Sequence, residues 1–334
     1  MMKATDILLV VLMLFTQNVL SVHAKSEKNK KPDPAFKEKA THIEKSHKPY
    51  YGDTTVVDIY ELDGIYYSVD AVTGEVAEII PNSINYEITP TYNEVELQGM
   101  AEEIVSQFLG EEVDLSTLTF SLGQKIGTYF FRWEDNDKKL EDGTTAFVQV
   151  GLSQNGDFLN LFNTLPFGHG NPKVHPLVTK IPSLIGPFNE IYANRTANTT
   201  STYWVASGSM TSTTGGYFYL YPASYCTAGY CSTFLYTTQS SSGSSAATWK
   251  PNSNTNTKAS VFIPSTHATA SVTYKITQNN GSTTNSTVNQ NAFYNSWVSI
   301  TLSTISNGIK SITLNNLGSS GLQVAWDETW VYNP

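Results

Sequence analysis

The sequence has few cysteines, few charges in its second half and no long apolar run after residue 24. Two of the 334 residues are cysteines and the formal net charge is −9. Two cysteines are too few for a zinc cage unless histidines stand at ligand spacing, and none does. No segment has the dense basic surface that binding to a phosphate backbone requires. We therefore expect no nucleic acid partner and no structural zinc site.

Catalytic signatures are also missing. Neither G-x-S-x-G nor H-E-x-x-H occurs in the chain. Residues 135–143 superficially match a calcium loop, but lysine replaces its third ligand and leucine stands where the sharp turn needs glycine. We predict a non-enzymatic protein without cofactor or metal. An enzyme site assembled from the acidic first half stays open as a third hypothesis, because sequence spacing does not show whether two carboxylates face each other across a cleft.

The charges divide the chain into two parts. From Ile191 onward there are five basic and two acidic residues, which leaves 15 basic and 27 acidic residues before that point. Such an asymmetry predicts two domains with separate surfaces.

The first 24 residues read as a signal peptide. Lys3 supplies a positive start, Ile7 to Phe15 an apolar core, and Val22-His23-Ala24 a small-residue cleavage site. The apolar core is too short to span a bilayer comfortably. We expect a secreted, extracellular protein with no membrane span in the mature chain. In an oxidising compartment, Cys226 and Cys231 are expected to form a disulfide.

Residues 25–49 contain eight lysines and four acids, which predicts a solvated, disordered lead-in. In residues 50–165, Asp63-Gly64 and Thr73-Gly74 separate three β-rich runs. A helix follows, with Thr91 and Glu94 as a capping box and Gly110 at its end. Its predicted apolar stripe is Leu97, Met100, Ala101, Ile104, Val105, Phe108 and Leu109. Further strands are expected at 118–124, 128–133, 145–151 and 158–165, which makes an α+β layer with the helix on one face of an antiparallel sheet.

This first domain resembles the PepSY-like domains of secreted Gram-positive proteins. The resemblance rests on YYSVDAVTGEV at 66–76 and on the helix followed by YFFRWED and AFVQVGLSQNGDFLNLFN. It implies no active site, and it suggests that the domain inhibits or modulates a secreted peptidase. Because the chain contains no peptidase motif, such a partner would be a separate protein.

Five prolines in 166–187 predict an interdomain linker. Residues 188–334 are rich in Ser, Thr, Asn, Gly and Tyr, with strand-length runs and no helical period, which indicates an all-β, jelly-roll-like sandwich. Low charge with many hydroxyl and amide groups suits recognition of neutral polyols.

The second domain resembles the golvesin C-terminal-like domain, also described as similar to a carbohydrate-binding domain of xanthan lyase. The matching segments are Ala247-Thr-Trp249-Lys-Pro251, Val261-Phe-Ile-Pro264, 268–274, Val288-Asn-Gln290, Trp297-Val298 and Val324-Ala-Trp-Asp327. The chain departs from the family pattern at Glu328-Thr-Trp330-Val, after the aspartate. The resemblance implies a sandwich that binds polysaccharide or cell-wall glycan.

Alternation along two predicted strands offers aromatic stripes for such a ligand. Tyr217, Tyr219 and Tyr221 share one strand face, and Trp326 and Trp330 share another with Leu322 and Val324. We predict these five aromatics as carbohydrate-binding candidates. For the tryptophan stripe the apolar neighbours favour the alternative that this face is core.

Overall fold

The computed structural model describes residues 31–48, 51, 55–84, 86, 90–110, 113–140, 144–169, 191–192, 207–212, 219–222, 233–243, 245–250, 255–301, 304–327 and 329–333. At Trp330 and at several strand positions within residues 191–250, the description covers the backbone alone. We call residues 31–169 the front half and residues 191–333 the back half. The predicted signal peptide and most of the predicted linker lie outside the described residues.

Eight antiparallel strands form the sheet of the front half, in the spatial order β1-β2-β3-β4-β8-β7-β6-β5. Their bounds are β1 Thr41–His47, β2 Val56–Leu62, β3 Ile65–Asp70, β4 Val76–Pro81, β5 Thr119–Lys125, β6 Thr128–Lys139, β7 Thr145–Ser153 and β8 Phe158–Asn163. Each group of four strands is a meander, and pairing between β4 and β8 joins the two meanders into one sheet.

Turn chemistry explains the predicted β2–β3 hairpin. Asp63 and Gly64 adopt φ values of 54° and 82°, the pair of left-handed residues that a two-residue hairpin turn requires. β6 is longer than predicted and continues to Lys139. Its charged end still pairs with β7 across a bulge, through Asp135 with Ala146 and Lys139 with Thr145.

One main helix, α2 (Glu94–Leu109), packs on one face of this sheet. Leu97, Ala101 and Val105 of the predicted stripe are buried, and the other four stripe residues are partly buried against the same cluster. Gly110 ends the helix with φ 73°, as expected for a residue without Cβ strain. Among the described residues, no helix is long and apolar enough to cross a membrane.

The predicted capping box at Thr91 and Glu94 is wrong by two residues. Asn93 is the N-cap: its side chain accepts a hydrogen bond from Glu96 N, and the Glu96 carboxylate accepts one from Asn93 N. Both pairs have the same spacing of three residues, so the capping pattern alone does not distinguish them.

The prediction of a disordered, charged lead-in is also corrected, because residues 31–48 form a short helix and a strand. A short helix, α1 (Phe36–Lys39), leads into β1, which pairs with β2 at the edge of the sheet. The ring of Phe36 stacks on Tyr67 with centroids 4.1 Å apart. A few anchoring contacts of this kind order a segment whose composition is mostly charged.

The back half consists of antiparallel sheets. A six-stranded sheet has the order β16-β15-β18-β13-β10-β9, and two three-stranded sheets have the orders β11-β12-β19 and β17-β14-β20. The bounds are β9 Ile191–Tyr192, β10 Ser207–Ser212, β11 Tyr219–Pro222, β12 Thr233–Thr238, β13 Ser245–Lys250, β14 Lys258–Ile263, β15 Ser271–Gln278, β16 Thr283–Asn289, β17 Ser296–Ser299, β18 Ile309–Asn315, β19 Gln323–Trp326 and β20 Thr329–Tyr332. The predicted fold class, an α+β layer followed by an all-β sandwich, is confirmed.

The two halves pack against each other. One hydrophobic cluster contains Phe147, Leu159 and Phe162 of the front half together with the core of the back half. Phe162 and Phe293 lie across this boundary with ring centroids 6.4 Å apart. The sheet of the front half is therefore covered by α2 on one face and by the back half on the other.

Candidate functional site: a cleft between the two halves

The sheet face opposite α2 carries polar side chains on β1, β3 and β4. Across β1 to β4, Glu44 pairs with Ile59, Ile59 with Ser68, and Ser68 with Glu78. Directly paired residues of antiparallel strands project from the same face, so this row places two carboxylates on the side of the back half. Buried polar groups of this kind need specific partners.

A buried ion pair occupies the centre of this face. Lys48 Nζ lies 2.9 Å from Glu78 Oε2, and the two side chains are 3% and 4% exposed. Tyr51 donates its hydroxyl hydrogen to Glu78 Oε1 at 2.8 Å, and Ser68 donates to Oε2 at 3.2 Å. Both carboxylate oxygens are thus hydrogen-bonded, which is the condition for a buried charge to be tolerated.

A second ion pair joins the two halves. Lys258 on β14 of the back half contacts Glu44 on β1 of the front half, and the Lys258 side chain is 1% exposed. Burial lowers the pKa of the Lys258 ammonium, and the hydrogen bond to Glu44 opposes this effect. Thr304 Oγ1 also donates to Glu44, at 3.4 Å. The polar row of the front sheet therefore continues into the back half.

An open cavity of about 390 Å³ lies between these elements, and we call it the interhalf cleft. Strands β1 to β4 form one wall, and β14, β16 and β17 with the chain after β16 form the other. Its lining residues are Ser46, Lys48, Ile59, Tyr66, Ser68, Glu78, Ile80, Pro81, Asn82, Ile84, Lys258, Asn285, Ser286, Thr287, Val288, Asn289, Phe293, Val298, Ser299 and Thr301. Hydroxyl, amide and phenol groups alternate with apolar patches, and the two lysines are each matched by a carboxylate.

This lining suits a small polar, uncharged ligand. A pocket of several hundred Å³ is the usual size for ligand sites, and convergent polar groups orient what binds there. Tyr66 presents an aromatic body with a hydroxyl group, and burial raises its pKa, so the phenol stays protonated and can donate. Asn285 and Thr287 are exposed on β16, which is an edge strand of its sheet.

A loop of the back half docks beside the cleft. Residues Gln290–Tyr294, which we call the docking loop, begin with a 3₁₀ turn after β16. Lys125 Nζ donates to the carbonyl oxygens of Gln290 at 3.0 Å and of Phe293 at 2.5 Å, and also to Ala268 O at 3.2 Å. Burial lowers the pKa of Lys125 well below its usual range.

Three neutral side chains of the same sheet hold the remaining carbonyls of the docking loop. Thr128 Oγ1 donates to Asn291 O at 3.0 Å, Asn160 Nδ2 to Ala292 O at 2.5 Å, and Gln149 Nε2 to Tyr294 O at 3.1 Å. Together with Lys125, they bind every carbonyl from residue 290 to residue 294.

The structure corrects the prediction of Trp326 as a ligand-binding residue. Trp326 is 3% exposed in the core of the back half, and its indole N–H donates to Leu314 O at 3.1 Å. Val324, on the same strand face, is also fully buried. A ring enclosed in this way has no free surface for stacking on a sugar, which is the core alternative that the apolar neighbours indicated.

The other predicted site residues are only partly described. Tyr219 and Tyr221 lie on β11, opposite Tyr236 and Phe234 of β12, and Trp330 lies on β20 opposite Ser260. The side chains of Tyr219, Tyr221 and Trp330 lie outside the description. Tyr217 and the expected Cys226–Cys231 disulfide fall outside the described residues altogether.

Sequence reasoning missed the cleft, although two signals for it existed. Ser68 and Glu78 interrupt apolar strand runs at positions that the alternation assigns to a covered sheet. Lys48 lies in the segment assigned to disorder, so its pairing with Glu78 could not be proposed. Within the part of the chain that the structure describes, no group of three or more His, Cys, Asp or Glu side chains could hold a metal ion.

Comparison with known proteins does not assign a family. No protein-family model matches the chain, and no curated protein matches it significantly. Among solved structures, similarity is found to the Bacillus megaterium YpeB C-terminal domain, with 9% identity, a TM-score of 0.28, and coverage of 90% of this chain and 98% of that one.

Two further similar structures are those of a lyase and a galactanase. The Paenibacillus xanthan lyase has 11% identity and a TM-score of 0.30, with 89% of this chain covered but only 36% of the lyase. The exo-β-1,3-galactanase of Phanerochaete chrysosporium, solved with galactose, has 10% identity and a TM-score of 0.27, with 88% and 69% covered. The chain thus spans about a third of the lyase. At these scores the likenesses identify neither a family nor a ligand for this chain.

Proposed function

We propose that the protein is a secreted, non-enzymatic binding protein that attaches to glycan or cell-envelope material, with the interhalf cleft as its ligand site. The observation that carries the proposal is the lining of the cleft, where hydroxyl and amide groups converge around a charge-balanced floor. Such groups match the donors and acceptors of a neutral polyol, while Tyr66 and the apolar patches can cover its C–H surfaces.

The sequence resemblances agree with this proposal. A golvesin-like back half implies glycan binding, and a PepSY-like front half supplies no active site. Glu78 and Glu44 are each engaged by a lysine, an arrangement that suits a structural or binding role better than proton transfer. Export is proposed on the N-terminal signal pattern alone.

Retention of the full chain on insoluble polysaccharides and peptidoglycan tests the proposal. We expect the wild-type chain to be retained, and the double variant Asn285→Ala/Tyr66→Phe to bind roughly tenfold more weakly, because it loses two polar contacts to the ligand. The matched control, Asn280→Ala/Tyr92→Phe, changes the same residue types outside the cleft and should bind as the wild type does. Absence of wild-type retention on every polysaccharide overturns the function. Equal retention of both double variants overturns the cleft as the site.

The alternative function is modulation of a separate peptidase by the front half. In the described structure, α2 covers one face and the back half covers the other. No geometric observation favours a peptidase partner.

A further inference from the structure

We infer that the front half is a built-in receptor for the docking loop, and that its role is to hold one wall of the interhalf cleft in place. The binding of five successive backbone carbonyls by side chains of one sheet carries this inference. The receptor role itself stands on the docking geometry, and only its effect on ligand affinity rests on the proposed function.

Most of these contacts are made to backbone atoms of the docking loop, so they recognise its backbone conformation. Lys125 bridges the two ends of the 3₁₀ turn by binding the carbonyls of Gln290 and Phe293. The side-chain amide of Asn291 adds a two-way contact with the backbone of Ile126, accepting from its N–H at 3.3 Å and donating to its carbonyl at 2.7 Å. An irregular turn buried against a sheet must have its polar groups satisfied in this way.

A glycine in the sheet creates the space for the last loop residue. A Cβ atom at Gly123 would lie 2.5 Å from the ring of Tyr294, closer than any van der Waals contact allows. The Tyr294 ring also stacks on Phe130, with centroids 5.3 Å apart and an interplanar angle of 25°. The absence of a side chain at Gly123 therefore leaves the space on β5 that the Tyr294 ring occupies.

The docking loop is continuous with the wall of the cleft. Phe293 of the loop lines the cleft, and so do Val288 and Asn289 at the end of β16, just before the loop. Gln290 also anchors the loop to the rest of the back half, because its side chain hydrogen-bonds the Tyr274 hydroxyl and the backbone of Ala325. A shift of the loop on the front sheet must move this wall, and with it the spacing of the polar groups that face a ligand.

Hydrogen exchange of the full chain, followed by mass spectrometry over peptides that include residues 290–294, tests the receptor role. In Lys125→Met the carbonyls of Gln290 and Phe293 lose their side-chain donor, so exchange of the amides of the loop should become at least about tenfold faster. Gly123→Ala should have the same local effect through the clash with Tyr294. The control variants are Lys310→Met, an exposed lysine, and Gly99→Ala, where an added Cβ meets nothing within 4 Å.

Unchanged exchange at 290–294 in both Lys125→Met and Gly123→Ala overturns the inference. If Lys125→Met fails to fold, the nearly isosteric Thr128→Val removes one donor and should still accelerate exchange in the loop. Retention on a polysaccharide that binds the wild type is the second measurement. Lys125→Met and Gly123→Ala should each bind several-fold more weakly than their controls. If the wild type is not retained at all, the proposed function fails while the exchange result still decides the receptor role.

Discussion

The Lys48–Glu78 pair shows how one residue decides whether this sheet face can be buried. Its contact distance is 2.9 Å and both side chains are almost fully enclosed. A buried pair contributes little net stability over apolar residues of the same size, but the loss of one partner leaves an uncompensated charge. The pair therefore makes the polar floor of the cleft dependent on both residues.

Glu78→Leu should lower the free energy of unfolding by about 3–5 kcal/mol, because it removes the carboxylate that pairs with the buried Lys48 ammonium. The double variant Lys48→Met/Glu78→Leu should lose much less, since both charges of this pair are removed together. Urea unfolding of both variants measures the difference. Lys39→Met, which removes an exposed partner of Asp33, serves as a control with little effect. A double variant as unstable as the single one would contradict this account.

A second prediction at the residue scale concerns Tyr274 and the pH dependence of stability. Tyr274 is buried beside Gln290, whose side-chain Nε2 donates to its hydroxyl at 3.1 Å. Burial raises the pKa of Tyr274 far above its ordinary value of 10.0. The unfolded chain then releases this proton at lower pH than the folded chain, so the stability that Tyr274 contributes is present below about pH 10 and is lost as the pH rises further.

Tyr274→Phe should therefore show a smaller loss of stability than the wild type between about pH 9 and about pH 11. Urea unfolding across this range measures it, and the comparison between the two proteins cancels groups that they share. Part of the alkaline loss should remain, because burial also raises the pKa of Tyr86 and Tyr294. Identical pH profiles for the two proteins would rule out the assignment.

At the scale of elements, the N-terminus of α2 is a place where the sequence pattern and the structure differ. Asn93 and Glu96 satisfy each other's backbone N–H groups, whereas the Thr91 hydroxyl donates to Asn155 Oδ1 at the protein surface. Asn93→Ala should therefore cost about 1 kcal/mol of stability through the lost cap. Thr91→Ala should cost clearly less, and the urea midpoints of the two variants compare them. The reverse order would restore the capping box at Thr91.

The edge strand β1 shows a different limit at this scale. Its segment is dominated by charge, and yet Phe36 stacks on Tyr67, whose hydroxyl accepts from Asp33 N at 2.9 Å. Lys48 then pairs with Glu78. These contacts join residues about 30 positions or more apart in the chain, so the local composition around β1 could not reveal them.

At the scale of the whole molecule, the two halves share a core and a buried ion pair. Elements that share a buried interface unfold together when neither half is stable without it. We expect one heat-unfolding transition, with equal calorimetric and van't Hoff enthalpies. The helical circular dichroism signal, which reports α2, should decrease at the same temperature. Two resolved transitions would show that the halves are energetically independent.

The elements of the front half were largely predictable because their signals are local. The Asp63-Gly64 turn, the apolar stripe of α2 and Gly110 each act through neighbouring residues. Alternation likewise indicated the core position of Trp326 as the better alternative. These features follow from the helix and strand periods and from backbone sterics, which any short segment carries in its own sequence.

The sequence by itself determined the fold class, the main helix and the strands of the front sheet. Only the tertiary structure decided which sheet face the back half covers, which side chains bind the docking loop, and where a cleft remains. The reason is that a polar residue in a strand reads the same whether it faces water or a partner. Ser68, Glu78 and Lys125 acquire their roles from groups brought to them by the fold, through contacts that neither composition nor period encodes.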